Sequence, residues 1–264
     1  MENPSEEFIR TAGYGRAGFA EHYDSYRPAP PRMLLDVLSR AAGVERPRLV
    51  VDLGCGTGLS TRAWAARAHE VVGVEPQAPM REQAEAATDA PNVRYVAAYS
   101  DATGLPDGGA DLVTCSQSFH WMDPEAALAE AARILRPGGA FAAYDYDVPP
   151  FVEPEIDAAF ERYFLLRREV RERRGIQLGA GRWPKKQHLQ RIRESGHFRR
   201  AREIVLHGES EGGAERVVGL ALSIGPVSEE LEPGIEELRA VAERVLGDRV
   251  VPWLVSYRVR LGWK

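Results

Sequence analysis

An apolar run, Arg48-Leu49-Val50-Val51-Asp52-Leu53, leads directly into Gly54-Cys55-Gly56-Thr57-Gly58. Glycines at the end of a strand let the backbone turn tightly and let a ligand lie against bare main chain. The spacing narrows the ligand. A dinucleotide loop follows G-x-G-x-x-G/A, whose third small residue packs helix against strand beneath a pyrophosphate. Here position 59 is Leu and the third glycine arrives one residue early, giving G-x-G-x-G preceded by an acid. A second apolar run, Val71-Val72-Gly73-Val74, ends in Glu75-Pro76. An acid about twenty residues past such glycines can accept hydrogen bonds from both hydroxyls of a ribose.

Further landmarks follow in order. They are Ser100-Asp101-Ala102-Thr103-Gly104-Leu105-Pro106, Asp111-Leu112-Val113 and Arg133-Ile134-Leu135-Arg136-Pro137-Gly138-Gly139. Together with Asp52-Leu53-Gly54-Cys55-Gly56-Thr57-Gly58 they resemble the motif series of class I methyltransferases, over roughly residues 20–147. The resemblance is to the small-molecule, methyltransferase type 11 branch, similar to ubiquinone/menaquinone and trans-aconitate methyltransferases. It implies S-adenosylmethionine as cofactor and no metal. Asp52, Gly54, Cys55, Gly56 and Thr57 would form the loop that holds its methionine part, with Ser116 beside it. Glu75 and Pro76 would meet the ribose, while Asp101 and Ala102 would border the adenine. Ser100 stands where the branch usually has Gly, which leaves Asp101 in place.

A sulfonium cofactor carries an already activated methyl group. The protein's task is then to align a nucleophile about 3 Å away, an orientational gain, with aromatic faces stabilising the cationic sulfur. A hydroxyl or acidic carbon needs a base; a free amine or a carboxylate does not. Candidates lie in Ser116-Gln117-Ser118-Phe119-His120-Trp121-Met122-Asp123, past the end of a strand, where ligands of open α/β sheets bind. His120 is the candidate base, with Asp123 or Asp145 to orient it; alternatively His120 and Trp121 pack beneath the helix that follows. Phe19-Ala20-Glu21-His22-Tyr23-Asp24-Ser25-Tyr26-Arg27-Pro28 resembles the Y-D-x-x-R-P entry of the branch. On a helix, Tyr23 and Arg27 share a face at i and i+4. Tyr23 would face the acceptor as a second catalytic candidate, and Arg27 the methionine carboxylate.

The elements that position these residues alternate. Strands are expected over Arg48–Leu53, Glu70–Glu75, Asn92–Ala97, Ala110–Ser116, Ala140–Tyr144, Arg202–His207 and Trp253–Leu261. Helices are expected over Met33–Ala42, Leu59–Ala68, Pro79–Ala87, Pro124–Leu135, Phe151–Gly175 and Arg182–Ser195. Such alternation implies a doubly wound sheet. The fold class is α/β, a Rossmann-like seven-stranded sheet, mostly parallel with the last strand antiparallel, carrying a helical cap insertion. Residues 1–45 form a helical entry or lid, 46–147 and 196–264 the core, and 148–195 a cap over the substrate that excludes water.

Composition sets the remaining bounds. Of 264 residues, 44% are hydrophobic and 28% charged, as in soluble domains. No apolar run approaches the roughly 18 residues of a membrane span, and the polar start MENPSEEFIR resembles no targeting peptide. Two cysteines, Cys55 and Cys115, support neither a disulfide framework nor a zinc spacing. A reducing cytoplasmic setting and a monomer or homodimer are expected. Net charge is −5, yet residues 161–202 hold fourteen Lys or Arg against four acids. That stretch is a solvated Arg-rich surface, a grip for an anionic acceptor, or a track for RNA phosphates; the overall acidity and the lack of an RNA-binding module disfavour RNA. The expected function is methyl transfer to a small molecule by in-line displacement. The alternatives are an RNA or protein methyltransferase, or a cofactor-binding protein of this fold that runs another reaction such as a cyclisation.

Overall fold

The computed structural model describes residues 18–175, 183–225 and 227–264. Residues 1–17 of the expected entry segment and 176–182 of the expected cap lie outside that set.

Seven strands form one sheet: β1 Leu49–Leu53, β2 Glu70–Val74, β3 Val93–Val96, β4 Ala110–Ser116, β5 Leu135–Tyr146, β6 Arg200–Gly212 and β7 Val251–Trp263. Their order is β3-β2-β1-β4-β5-β7-β6. The first five pair in parallel, and β7 runs antiparallel to both β5 and β6. This is the expected Rossmann-like α/β arrangement. The chain winds outward from β1 through β2 to β3, then returns to place β4 on the other side. The gap between the β1 and β4 ends is the topological switch point, where ligands bind in such sheets.

Both faces of the sheet are covered, which is why its central strands read as unbroken apolar runs. Val51, Val113 and Phe141 face helix α5 (Pro124–Ile134) and the short α7 (His188–Glu194), packing with Leu128, Ala131 and Ile192. Val50, Leu112 and Ala142 point the other way, against Leu34, Leu35 and Leu38 of α2 (Arg32–Ala41) and Trp64 beyond α3 (Leu59–Ala63). Helix α4, Ala78–Ala86, follows β2. No described helix is long and apolar enough to cross a membrane.

The cap differs from its expected bounds of 148–195. A third apolar cluster unites α6 (Pro154–Arg173) with α8 (Ala214–Leu222) and α9 (Glu232–Leu246), through Ile156, Phe160, Tyr163, Val217, Leu220, Ile235 and Leu238. Helices from the stretch assigned to the core, 196–264, therefore complete the cap. Conversely, α7 belongs to the sheet, since Ile192 and Phe198 join its cluster. Periodicity identifies an apolar helix face but not the face it meets. The expected helix from Arg182 also starts only at His188, after Pro184 and a single 3₁₀ turn over Lys185–Gln187.

The entry helix α1, Phe19–Tyr26, docks on α8. His22 Nε2 donates to the Gly219 carbonyl at 2.9 Å, and Tyr26 Oη donates to Glu215 at 2.6 Å. A Cβ at Gly219 would collide with the Tyr26 ring, so only glycine permits this approach.

Asp52, at the end of β1, is fully buried. One carboxylate oxygen accepts from Thr61 of α3 and the other from Thr114 of β4, each at 2.8 Å. Burial pushes its carboxyl up to about 6, against the pull of the two threonine hydroxyls. A folded-state value above the unfolded one means that stability present in acid is lost as the pH rises through 6. Relative to an Asp52→Asn variant, which has no charge to bury, the wild type is expected to lose on the order of 3 kcal/mol between pH 4 and pH 7. Urea denaturation at a series of pH values measures this. Phe160→Ala, at a fully buried cap position, is expected to cost about 3–5 kcal/mol, read from the same transitions.

Candidate functional site

A pocket opens at the carboxyl ends of β1, β2, β4 and β5 and encloses about 1280 Å³ with its mouth included.

One wall is the glycine loop. Gly54, Gly56 and Gly58 all take left-handed backbone, with φ of 64°, 57° and 80°. At Gly54 a Cβ would strike Ser118 and Met122; at Gly56 it would meet only the Met80 methyl, at 3.4 Å. The middle glycine thus leaves the main chain bare toward the pocket. The loop is stitched to β2: the Gly54 and Cys55 amides donate to the Val74 carbonyl at 2.8 and 3.1 Å, and the Gly56 amide donates to Glu75 Oε2 at 3.0 Å. Burial pushes the Cys55 thiol well up, so it is neutral lining and no nucleophile.

Glu75 lies on this wall, and its other oxygen accepts from the Gln77 amide at 2.9 Å. Burial raises its carboxyl, while those two amides pull it back. A carboxylate has about four lone-pair directions, so two remain for the hydroxyls of a ribose. Asp101 lines the pocket beside Tyr99. Its turn is held from below by Glu130, which accepts from the Thr103 amide at 2.9 Å and the Thr103 hydroxyl at 2.5 Å. Although burial opposes it, the Arg133 guanidinium and these Thr103 donors bring the Glu130 carboxyl down to about 2. Glu130 was not legible as a site residue, because a glutamate on an amphipathic helix reads as solvated.

The opposite wall comes from β4, β5 and α1. Ser116, Gln117, Ser118, Trp121 and Met122 line it, with Tyr146 at the end of β5. Tyr23 and Arg27 close the mouth together with Pro28 and Pro30. The Arg27 guanidinium lies 4.7 Å from the Tyr23 ring centre and donates to Tyr146 Oη at 2.5 Å and to the Ser223 carbonyl at 2.9 Å. Arg62, a second residue missed by motif, bridges the Thr57 carbonyl at 2.5 Å and Asp24 of α1 at 2.6 Å. It ties the glycine loop to the helix over the mouth.

Most of the expected residues converge: Tyr23, Arg27, Gly54, Cys55, Gly56, Thr57, Glu75, Pro76, Asp101 and Ser116 all line the pocket. Three do not. Asp52 sits beneath the loop, as described above. Ala102 is turned into a backbone bridge with Tyr99. His120 is buried behind the wall, its ring 4.9 Å from Trp121 and 6.5 Å from His188. The 3₁₀ turn over Phe119–Trp121 sends Trp121 to the pocket and His120 away from it. Asp123 is occupied capping α5 through the Ala126 amide at 3.0 Å; the acid near His120 is Asp145, 3.7 Å from Nδ1.

The cap also departs from expectation. Among the described residues none between 148 and 195 lines the pocket, and Arg27 is its only cationic lining residue. The cap arginines Arg162, Arg173 and Arg174 face outward, Arg162 pairing with Glu237 and the other two with Glu230, while Arg167 turns to Tyr163 within the cap. The element over the mouth is α1.

Residues 51–143 match the family model of a methyltransferase domain of type 11. An uncharacterized methyltransferase of Mycobacterium tuberculosis is 38% identical over 117 residues, 44% of this chain and 46% of that protein. The malonyl-[acyl-carrier protein] O-methyltransferase of Pseudescherichia vulneris is 37% identical over 132 residues, half of this chain and 51% of that protein. The chain therefore spans about half the length of the curated relatives it matches. A solved structure from Anaeromyxobacter dehalogenans, described as a type II methyltransferase, superposes with a TM-score of 0.67 at 26% identity, over 90% of this chain and 98% of that one. Residues 51–143 of this chain are thus similar to the methyltransferase domain of type 11, and over nine-tenths of its length the chain shares the fold of the Anaeromyxobacter dehalogenans methyltransferase.

Proposed function

We propose that this protein transfers the methyl group of S-adenosylmethionine to a small-molecule acceptor by in-line displacement. The observation that carries this reading is the convergence of two unlike walls at the switch point. The glycine loop, Glu75 and Asp101 stand on one side, and Tyr23, Gln117, Trp121 and Tyr146 on the other. When bound, the cofactor supplies an activated methyl on a cationic sulfur. Bare backbone at Gly56 lets the main chain approach the methionine part, beside Ser116 and under Arg27. Glu75 offers its two remaining lone-pair directions to the ribose, and Asp101 borders the adenine.

On the acceptor side the chain provides shape more than acid–base chemistry. Aromatic rings of Tyr23, Trp121 and Tyr146 exclude water and present faces suited to a cationic sulfur. Tyr23 is the second catalytic candidate, its hydroxyl able to hydrogen-bond an acceptor in the pocket that it lines. His120, held behind Trp121, supports the wall rather than the reaction. Methyl transfer in such a site draws chiefly on orientation, which can supply about 7–11 kcal/mol of barrier lowering. The mainly apolar pocket and the acid-paired surface arginines Arg162, Arg173 and Arg174 favour a small molecule over RNA.

Titration calorimetry with S-adenosylmethionine is expected to give one site. Glu75→Ala is expected to weaken it by about 1.5–3 kcal/mol, and unchanged affinity in a folded variant removes Glu75 from the ribose. With methyl-labelled cofactor and a metabolite extract, label is expected in the ultrafiltrable fraction with release of S-adenosylhomocysteine. Label confined to RNA or protein overturns the acceptor class.

A further inference from the structure

Gln117 is the one non-glycine residue with positive φ among those described, at 55°. Left-handed backbone is unfavourable for a side chain with a Cβ and persists where its surroundings impose it, commonly at ligand sites. It stands at the end of β4, on the pocket wall, next to Ser116.

Its side chain is held at both ends. Oε1 accepts from Lys185 Nζ at 2.7 Å, and Nε2 donates to the Tyr146 carbonyl at 3.3 Å. These partners settle which end of the amide is which, since an ammonium only donates and a carbonyl only accepts. With one Oε1 lone pair turned to Lys185 and one N–H spent on Tyr146, the amide keeps a second N–H as its remaining donor, beside one further lone pair on the oxygen that the ammonium already engages. Lys185 is itself anchored. Nζ lies 2.7 Å from Asp145 Oδ1, and Asp145 holds Arg260 at 2.8 Å through its other oxygen. The Asp145 and Arg260 side chains are almost wholly buried. The chain just before Lys185 is pinned as well, the Trp183 amide donating to the His120 carbonyl at 2.8 Å.

We propose that Gln117 is the acceptor-recognition residue of this site, donating its free amide N–H to an oxygen lone pair on the acceptor, and that Lys185 is the positioning residue that fixes the amide for it. The acceptor class is then an oxygen-bearing small molecule, carbonyl, ether or hydroxyl, with an apolar or aromatic body to fill the space between Tyr23, Trp121 and Tyr146. This rests on the methyltransferase reading above. It also accounts for Lys185 being the cap-side cation that turns inward while its neighbours face solvent.

Two probes of matched shape test it: acetophenone and α-methylstyrene, which differ in C=O against C=CH₂. Binding of each is followed by ligand-observed NMR titration on protein saturated with S-adenosylhomocysteine. Failure of S-adenosylhomocysteine to bind the wild type defeats the methyltransferase reading itself. With it bound, the wild type is expected to prefer the ketone by on the order of tenfold, the scale of one hydrogen bond. Gln117→Met, of similar shape without the N–H, is expected to bind the two equally. Lys185→Met is expected to reduce the preference and to lower the melting temperature by withdrawing a cation from Asp145, and Lys185→Arg to restore both, with S-adenosylhomocysteine affinity near wild type throughout. A lower melting temperature with the ketone preference intact in Lys185→Met overturns the positioning role. Equal binding of the probes by the wild type, absence of binding included, overturns the proposal, as does a ketone preference that survives Gln117→Met.

Discussion

Asp52 is a carboxylate buried where three elements meet: the end of β1, helix α3 beyond the glycine loop, and β4 across the switch point. A parallel sheet offers no polar partner at that place unless side chains supply it, and a buried carboxylate without hydrogen bonds is costly. Thr61 and Thr114 satisfy it, and in doing so they fix the distance between the loop and the neighbouring strand. The loop's own amides then have defined acceptors, Val74 and Glu75, on the strand opposite. The cradle is held from two sides, Asp52 by α3 and β4 and the loop amides by the end of β2.

The mouth of the site follows from a second coupling. Helix α1 presents Tyr23 and Arg27 to the pocket, yet it is gripped from outside by Gly219, Glu215 and Ser223 of the α8 region and from inside by Arg62. Arg62 bonds the Thr57 carbonyl with its other nitrogen, so the lid helix and the glycine loop share one guanidinium. The cap thus bears on the site indirectly. Its apolar cluster holds α8, α8 holds α1, and α1 holds the two side chains at the entrance.

Charge is distributed with the same economy. Glu75 and Asp101 line the glycine-loop side of the pocket, while the facing wall is aromatic, and among the described residues Arg27 is the one lining cation. Behind that wall Asp145, Arg260, Glu203 and Lys185 form a connected set. His188 beside it is held neutral, burial bringing it down to about 4 against the pull of Asp145. Buried polar networks of this kind are costly unless fully satisfied, and this one is placed where it orients Gln117 and backs Trp121.

The pocket wall built by the glycine loop and Glu75 was legible from the chain alone. A G-x-G-x-G turn and an acid at the next strand end are local features: their geometry is set by residues adjacent in sequence, and strand alternation says which edge of the sheet they occupy. The acceptor-side half was not. His120 and Trp121 are neighbours in sequence, and only a single 3₁₀ turn decided which of them faces the pocket. The helices after residue 196 show apolar faces that suit sheet and cap equally well; packing placed α8 and α9 in the cap and α7 on the sheet. Arg62, Glu130 and Lys185 are charged residues on helices or turns, which read as solvated until tertiary contacts give them buried partners. Local backbone chemistry wrote the glycine cradle into the sequence, whereas the direction of each wall-forming side chain depended on contacts between residues far apart in the chain, which no local pattern encodes.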